Sequence, residues 1–219
     1  MPCPEVTPGT FFSVFITGSD YFAQRQFGIR FSCGNWGGWQ EDGYDRTYDE
    51  KEYFTWRKAD VDGRETMFGV RYEGMFLENW LSFKIGVGEG PFGIILYYDI
   101  TRRETFEALD SHYKRICELL EEMDNHLSDG EKRQRRIPVA VCGDNCDRSD
   151  KRMVETEEGR KYAASHGWLF FEVSARANID MEKPFYALVH EYDEGNNNNK
   201  EDEKGEKKSS KRGRKCTVQ

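Results

Sequence analysis

Long apolar runs are missing from this chain of 219 residues. No stretch approaches the ~20 consecutive apolar residues that a membrane-spanning helix needs. With 33% charged residues, a helical span is excluded. The opening Met1-Pro-Cys-Pro-Glu-Val-Thr-Pro8 has no basic region followed by an apolar core, so no secretory leader is expected. Cysteine is sparse. Cys3, Cys33, Cys117, Cys142, Cys146 and Cys216 are scattered, which fits a reduced, cytosolic chain rather than a disulfide framework. Cys142 and Cys146 have no second ligand pair nearby and read as ordinary strand-end cysteines, not a zinc site. His112, His126, His166 and His190 share no metal-like spacing and read as surface or helix residues. No Ser-His-Asp or Cys-His arrangement stands out, so an unrelated α/β enzyme is the weakest of the functional readings.

Basic residues are in deficit, 32 Lys/Arg against 40 Asp/Glu, for a net charge of −8. The deficit is uneven. Residues 195–219 hold eight basic and four acidic residues, a net of +4, which leaves −12 on residues 1–194. An acidic body argues against a nucleic-acid-binding core. Joined to a basic tail, it suits a domain held at an anionic membrane surface.

What is present is an alternation of strand and helix patterns. Phe11 to Thr17 is a short aromatic and β-branched run, read as the first strand. Phe22, Ala23, Phe27 and Phe31 then recur as one face of a helix. Gly34 to Gly43 is a glycine- and tryptophan-rich loop. Tyr53 to Gly63 and Thr66 to Tyr72 predict an antiparallel hairpin with an Asp-Gly turn. Phe92 to Tyr98 is continuously apolar, as expected of a strand buried on both faces. Thr101-x-x-Glu104 predicts a capping box, and Phe106, Leu109, Tyr113, Ile116 and Leu120 an amphipathic helix behind it. Helices are predicted over Thr156 to His166 and Ile179 to Tyr192, with Pro184 in the first turn of the latter. The alternation implies a mainly parallel central sheet flanked by helices, an α/β fold.

Two runs point to a ligand crevice. Ile137-Pro-Val-Ala-Val-Cys-Gly-Asp-Asn-Cys-Asp147 and Leu169-Phe-Phe-Glu-Val-Ser-Ala-Arg176 are β-rich segments that each end in a polar cluster. In an open α/β sheet both clusters lie at the carboxyl ends of strands, where ligands bind. Together they resemble the guanine-reading half of a Ras-superfamily small GTPase, where one strand ends in Asn-Lys-x-Asp and the next in Ser-Ala-Lys. The resemblance spans residues 11–192. Tyr98 to Phe106, Glu158-Gly159 with Ala163, and Phe185 to Val189 also carry it. It implies a Ras-like G-domain over 11–194, after an N-terminal extension of residues 1–10 and before a tail of residues 195–219.

The same resemblance exposes the departures. The family's phosphate loop, Gly-x-x-x-x-Gly-Lys-Ser/Thr, cradles phosphates with backbone N–H groups, a Lys and a Mg²⁺-binding hydroxyl. Here Gly18-Ser-Asp-Tyr-Phe-Ala-Gln-Arg25 stands in its place. Gly18 keeps the first position, Gln24 replaces the Lys, and Arg25 falls where Mg²⁺ should sit; Arg25 could meet a phosphate itself or be an ordinary helix residue. Thr47, in Tyr44-Asp-Arg-Thr47, matches the threonine of the first switch. Gly74 matches the glycine of the second switch, but Arg71 takes its Asp position. The water-positioning residues for phosphoryl transfer are unrecognisable, so no catalytic residue is assigned.

In the base-binding half, Asp147 matches the carboxylate that reads guanine, and Asn145 replaces the Lys that covers the ring. Asp144 replaces the Asn, and a carboxylate cannot donate a hydrogen bond. Ser174, Ala175 and Arg176 keep the turn whose N–H meets the guanine carbonyl, with Arg176 placed to stack on the ring. Asp147 and Ser174 could equally serve only to tie two loops together. GTP or GDP is therefore the ligand the crevice could take, and Mg²⁺ is not expected.

The chain closes on Cys216-Thr-Val-Gln219, a C-a-a-X ending whose Gln favours farnesylation. One prenyl chain binds membranes marginally. Lys207 to Lys215 adds six cations, enough at about 1 kcal/mol each near an anionic leaflet. A disordered tail is expected, since Gly195 to Gly205 is low-complexity. The expected protein is a monomeric, membrane-anchored pseudo-GTPase at the cytoplasmic face of the plasma membrane. It would act in signalling through protein effectors and bind no nucleic acid. The alternative is a working small GTPase that binds GTP/GDP in an altered mode and hydrolyses it slowly.

Overall fold

The computed structural model describes residues 11–33, 54–72, 91–124 and 137–195. Six strands form one sheet: β1 (Phe11–Thr17), β2 (Phe54–Val61), β3 (Arg64–Tyr72), β4 (Phe92–Asp99), β5 (Val139–Asp144) and β6 (Leu169–Glu172). Their order is β2-β3-β1-β4-β5-β6. The β2–β3 pair is antiparallel and the other pairs are parallel. The mainly parallel α/β sheet expected from the alternation is present.

Helices cover both faces: α1 (Tyr21–Cys33), α2 (Arg103–Glu107), α3 (Leu109–Asp124), α4 (Thr156–Ser165) and α5 (183–195). The period-two alternation of β1 sends Phe12, Val14 and Ile16 to one face, where Phe27 and Phe31 of α1 and Phe185 and Leu188 of α5 meet them. Phe15 takes the other face with Leu109 and Ile116 of α3 and Ala163 of α4. Phe31 stacks on Phe185 at an interplanar angle of 6°, closing the first layer.

The hairpin turn falls at Asp62 (φ 53°) and Gly63 (φ 79°), both left-handed, as a two-residue turn between twisted strands requires. Its tip is held to α5 by Asp62 to His190 at 2.9 Å and Arg64 to Asp193 at 2.6 Å. β4 is buried along its centre, as its unbroken apolar run predicts.

Four local expectations are corrected. Phe22 is 64% exposed rather than on the buried face of α1; Gln24 is buried in that first turn instead. The capping box does not form. Asp99 Oδ1 takes the Thr101 hydroxyl at 2.7 Å and its N–H at 2.8 Å, so α2 starts from Arg102 with no side-chain cap. The single helix expected behind it is two, separated at Ala108, although its apolar positions all pack inward. The last helix begins at 183, not 179, because Ile179 exchanges backbone hydrogen bonds with Ser174. Pro184 accordingly sits in its first turn.

Candidate functional site

The carboxyl ends of β1, β4, β5 and β6 meet at one edge of the sheet, and the clusters singled out in the sequence converge there. After β1 only Gly18, Ser19 and Asp20 precede α1, which starts at Tyr21. Tyr21 to Arg25, five of the eight positions matched to a phosphate loop, are therefore helical. Their backbone cannot wrap a phosphate.

Asp20 is the cause. Its Oδ1 accepts the Ala23 N–H at 3.0 Å, as a helix N-cap does, and its Oδ2 meets Arg102 Nη1 at 2.7 Å. Gln24, which the resemblance aligns with a lysine, is buried and donates from Nε2 back to the Gly18 carbonyl at 2.5 Å. It points into the fold with no charge. Gly18 is required sterically, since a Cβ there would stand 2.3 Å from the Tyr97 carbonyl oxygen. Arg25, half-buried, lies on α1 one residue past Gln24. His112 of α3 joins this corner, with Nδ1 3.3 Å from Thr17 Oγ1 and Nε2 3.3 Å from Ser19 Oγ. Spacing gave no hint of that, because the contact spans most of the crevice's sequence separation.

At the other end, β5 ends in Asp144, which is 5% exposed. Its Oδ1 accepts the N–H groups of Asn145 at 2.7 Å and Ala175 at 2.8 Å, and its Oδ2 accepts the Tyr97 hydroxyl at 2.9 Å. Burial lifts its pKa from 3.8 to about 6, while the three donors oppose the rise. Burial, with Asp144 beside it, pushes the Tyr97 phenol upward. The buried Cys142 thiol is raised for the same reasons, which leaves it inert.

Asn145 takes the left-handed conformation (φ 67°) that turns the chain into a 3₁₀ helix, Cys146–Lys151. Asp147 stands on that helix. Its Oδ1 accepts the Ser174 hydroxyl at 2.6 Å, and its Oδ2 lies 3.3 Å from both Nε and Nη2 of Arg176. Ser174 also accepts the Ala177 N–H at 2.9 Å. Arg176 is therefore turned against Asp147. Asn145, Asp147, Ser174, Ala175 and Arg176 are brought together, with Gly18 across β4 from them. Thr47, Gly74 and Cys216 lie outside the described residues. Among the described residues no cluster of His, Cys, Asp or Glu could hold a metal ion.

The sequence model of the Ras family matches residues 77–194. The chain belongs to the Ras family. Among similar proteins, this Ras-family chain is 30% identical to Ras-related protein Rab-8A of Gallus gallus over 138 residues, covering 63% of this chain and 60% of that one. Ras-related protein Rab-10 of Diplobatis ommata is 36% identical over 102 residues, 47% of this chain and 44% of that one. Rab-10 of Caenorhabditis elegans is 35% identical over 100 residues, 46% of this chain and 43% of that one. The chain thus spans less than two thirds of the length of these curated relatives. The family match starts beyond Gly18–Arg25 and Thr47.

Proposed function

We propose that this Ras-family chain is a pseudo-GTPase: a membrane-anchored signalling protein that has lost normal GTP binding and hydrolysis and works through protein partners. The observation that carries the reading is the start of α1 at Tyr21 under an Asp20 cap, with Gln24 turned inward. A phosphate approaching this corner meets an Asp20 carboxylate already paired with Arg102 instead of a lysine. Each lost charge-assisted hydrogen bond costs roughly 1.5–3 kcal/mol. Losing the lysine, the metal and much of the cradle removes about 5–8 kcal/mol, or four to six decades of affinity.

Partner binding is assigned to β2, the outer strand of the described sheet, and the segments flanking it between Thr47 and Met75. An edge strand offers a row of backbone donors and acceptors to an added strand. Anchorage is assigned to Cys216 and the Lys207–Lys215 run, at the cytoplasmic face of a membrane. Gly18, Arg25, Asn145, Asp147, Ser174, Ala175 and Arg176 are the remnant of the nucleotide site in this reading.

The test is nucleotide content and affinity. Protein purified without added nucleotide is extracted for chromatography, then titrated with labelled GDP and GTP with and without Mg²⁺. No co-purified nucleotide, and no binding up to high micromolar, is expected. Submicromolar, guanine-specific binding would sink the proposal in favour of a working switch with an altered site.

A further inference from the structure

Two carboxylates in the crevice do something other than fill space. Asp20 comes from the loop after β1 and Asp144 from the end of β5, yet each accepts a backbone N–H that starts or follows a turn at the carboxyl edge of the sheet. Such N–H groups are what this kind of edge offers to a ligand. Ala23 lies in the first turn of α1, where backbone donors have no partner within the helix. Ala175 follows β6 and is 1% exposed. Neither donor is left to solvent or to a small molecule.

We propose that Asp20 and Asp144 are built-in ligands of the crevice, holding the Ala23 and Ala175 amides so that the domain is complete without nucleotide. The inference rests on the pseudo-GTPase reading and adds to it the groups that replace the lost ligand. Both carboxylates are held from the far side. Arg102 fixes Asp20 at 2.7 Å, and the Tyr97 hydroxyl fixes Asp144 at 2.9 Å. A ligand seeking the Ala175 N–H would have to strip a buried carboxylate of one of its three donors. Arg176 plays a lesser part: it is 64% exposed and 3.3 Å from Asp147, a pair that solvent screens.

The experiment is amide hydrogen exchange, read by NMR, on the full-length chain labelled with ¹⁵N and stripped of nucleotide. Ala23 and Ala175 should both be protected. Asp20→Ala should speed exchange at Ala23 at least tenfold and leave Ala175 unchanged. Asp144→Ala should do the reverse. Asp144→Asn, which keeps an acceptor oxygen and so guards against simple unfolding, should preserve protection at Ala175. Amides indifferent to these substitutions, in a chain that binds no nucleotide, would overturn this inference alone. Protection that arises only on adding GDP, together with tight GDP binding, would overturn it and the pseudo-GTPase reading together.

Discussion

A carboxylate at position 144 is almost fully buried, where an ionised group is costly to place. Among the described residues three donors and no cation surround it, and its pKa of about 6 records that burial outweighs the donors. The pH dependence follows from the sign of that shift. A pKa raised on folding means that the folded chain binds the proton more tightly than the unfolded one. The contribution of Asp144 to stability is then greatest at acid pH and falls as pH rises from about 4 to about 6. Asp144→Asn keeps Oδ1 for the two N–H groups and lets Nδ2 donate to the Tyr97 oxygen. The variant should lose this slope in urea unfolding and be more stable above pH 6, by on the order of 2–3 kcal/mol. A variant less stable than the parent at pH 8 would show that the carboxylate is not the strained group. The residue scale also marks where sequence reading stopped. Asp147 and Ser174 were legible as a pair that could tie two loops, and Ser174 Oγ does donate to Asp147. That Arg176 faces Asp147, and that Asp144 holds Ala175, depends on side-chain directions that no spacing encodes.

At the scale of elements, α4 rests on β4 and β6 through Gly159. A Cβ there would lie 2.5 Å from the Tyr98 hydroxyl oxygen and 2.6 Å from Phe170 Cε2. Gly159→Ala gains about 1 kcal/mol of helix propensity. Overpacking a fixed core costs roughly 1–3 kcal/mol, and Tyr98 is fully buried and cannot swing away. Overpacking wins. Denaturant unfolding should show a net loss of about 1–2 kcal/mol, partly recovered when Tyr98→Phe removes the nearer oxygen. That hydroxyl has no hydrogen-bond partner among the described residues, so deleting it sacrifices no hydrogen bond there. No recovery in the double variant would place the clash at Phe170. The elements themselves were largely legible: β1, the Asp62-Gly63 hairpin, β4 and α4 follow from periodicity and turn chemistry. Three departures share one cause, which does not extend to the helix break at Ala108. Thr101, Ile179 and the start of α1 were each decided by a nearby polar partner, namely Asp99, Ser174 and Asp20.

On the scale of the whole molecule, the charge asymmetry between residues 1–194 and the tail is the dominant feature. With Cys216 farnesylated, the full chain should sediment with anionic vesicles. Binding should fall as salt rises from about 0.1 M to about 1 M, because the screening length shrinks from ~10 Å to ~3 Å. Cys216→Ser should bind at least tenfold more weakly, since stable anchoring takes two signals and the variant keeps only the basic run. Equal sedimentation of the two would remove the anchor from the proposal.

The sequence by itself determined the α/β architecture, the placement of Asp147 and Ser174–Arg176 after two strands, and an uncharged Gln24 where the resemblance expects a lysine. Those rest on patterns and residue types, which local chemistry dictates. Only the tertiary structure decided that α1 begins at Tyr21, that Gln24 turns inward, and that Asp20 and Asp144 consume the Ala23 and Ala175 donors. The Asp144–Ala175 pairing joins residues 31 apart, and the contacts of Asp20 and Gln24, three and six residues apart, depend on side-chain directions that packing sets. Burial then makes each such pairing costly to leave unmade.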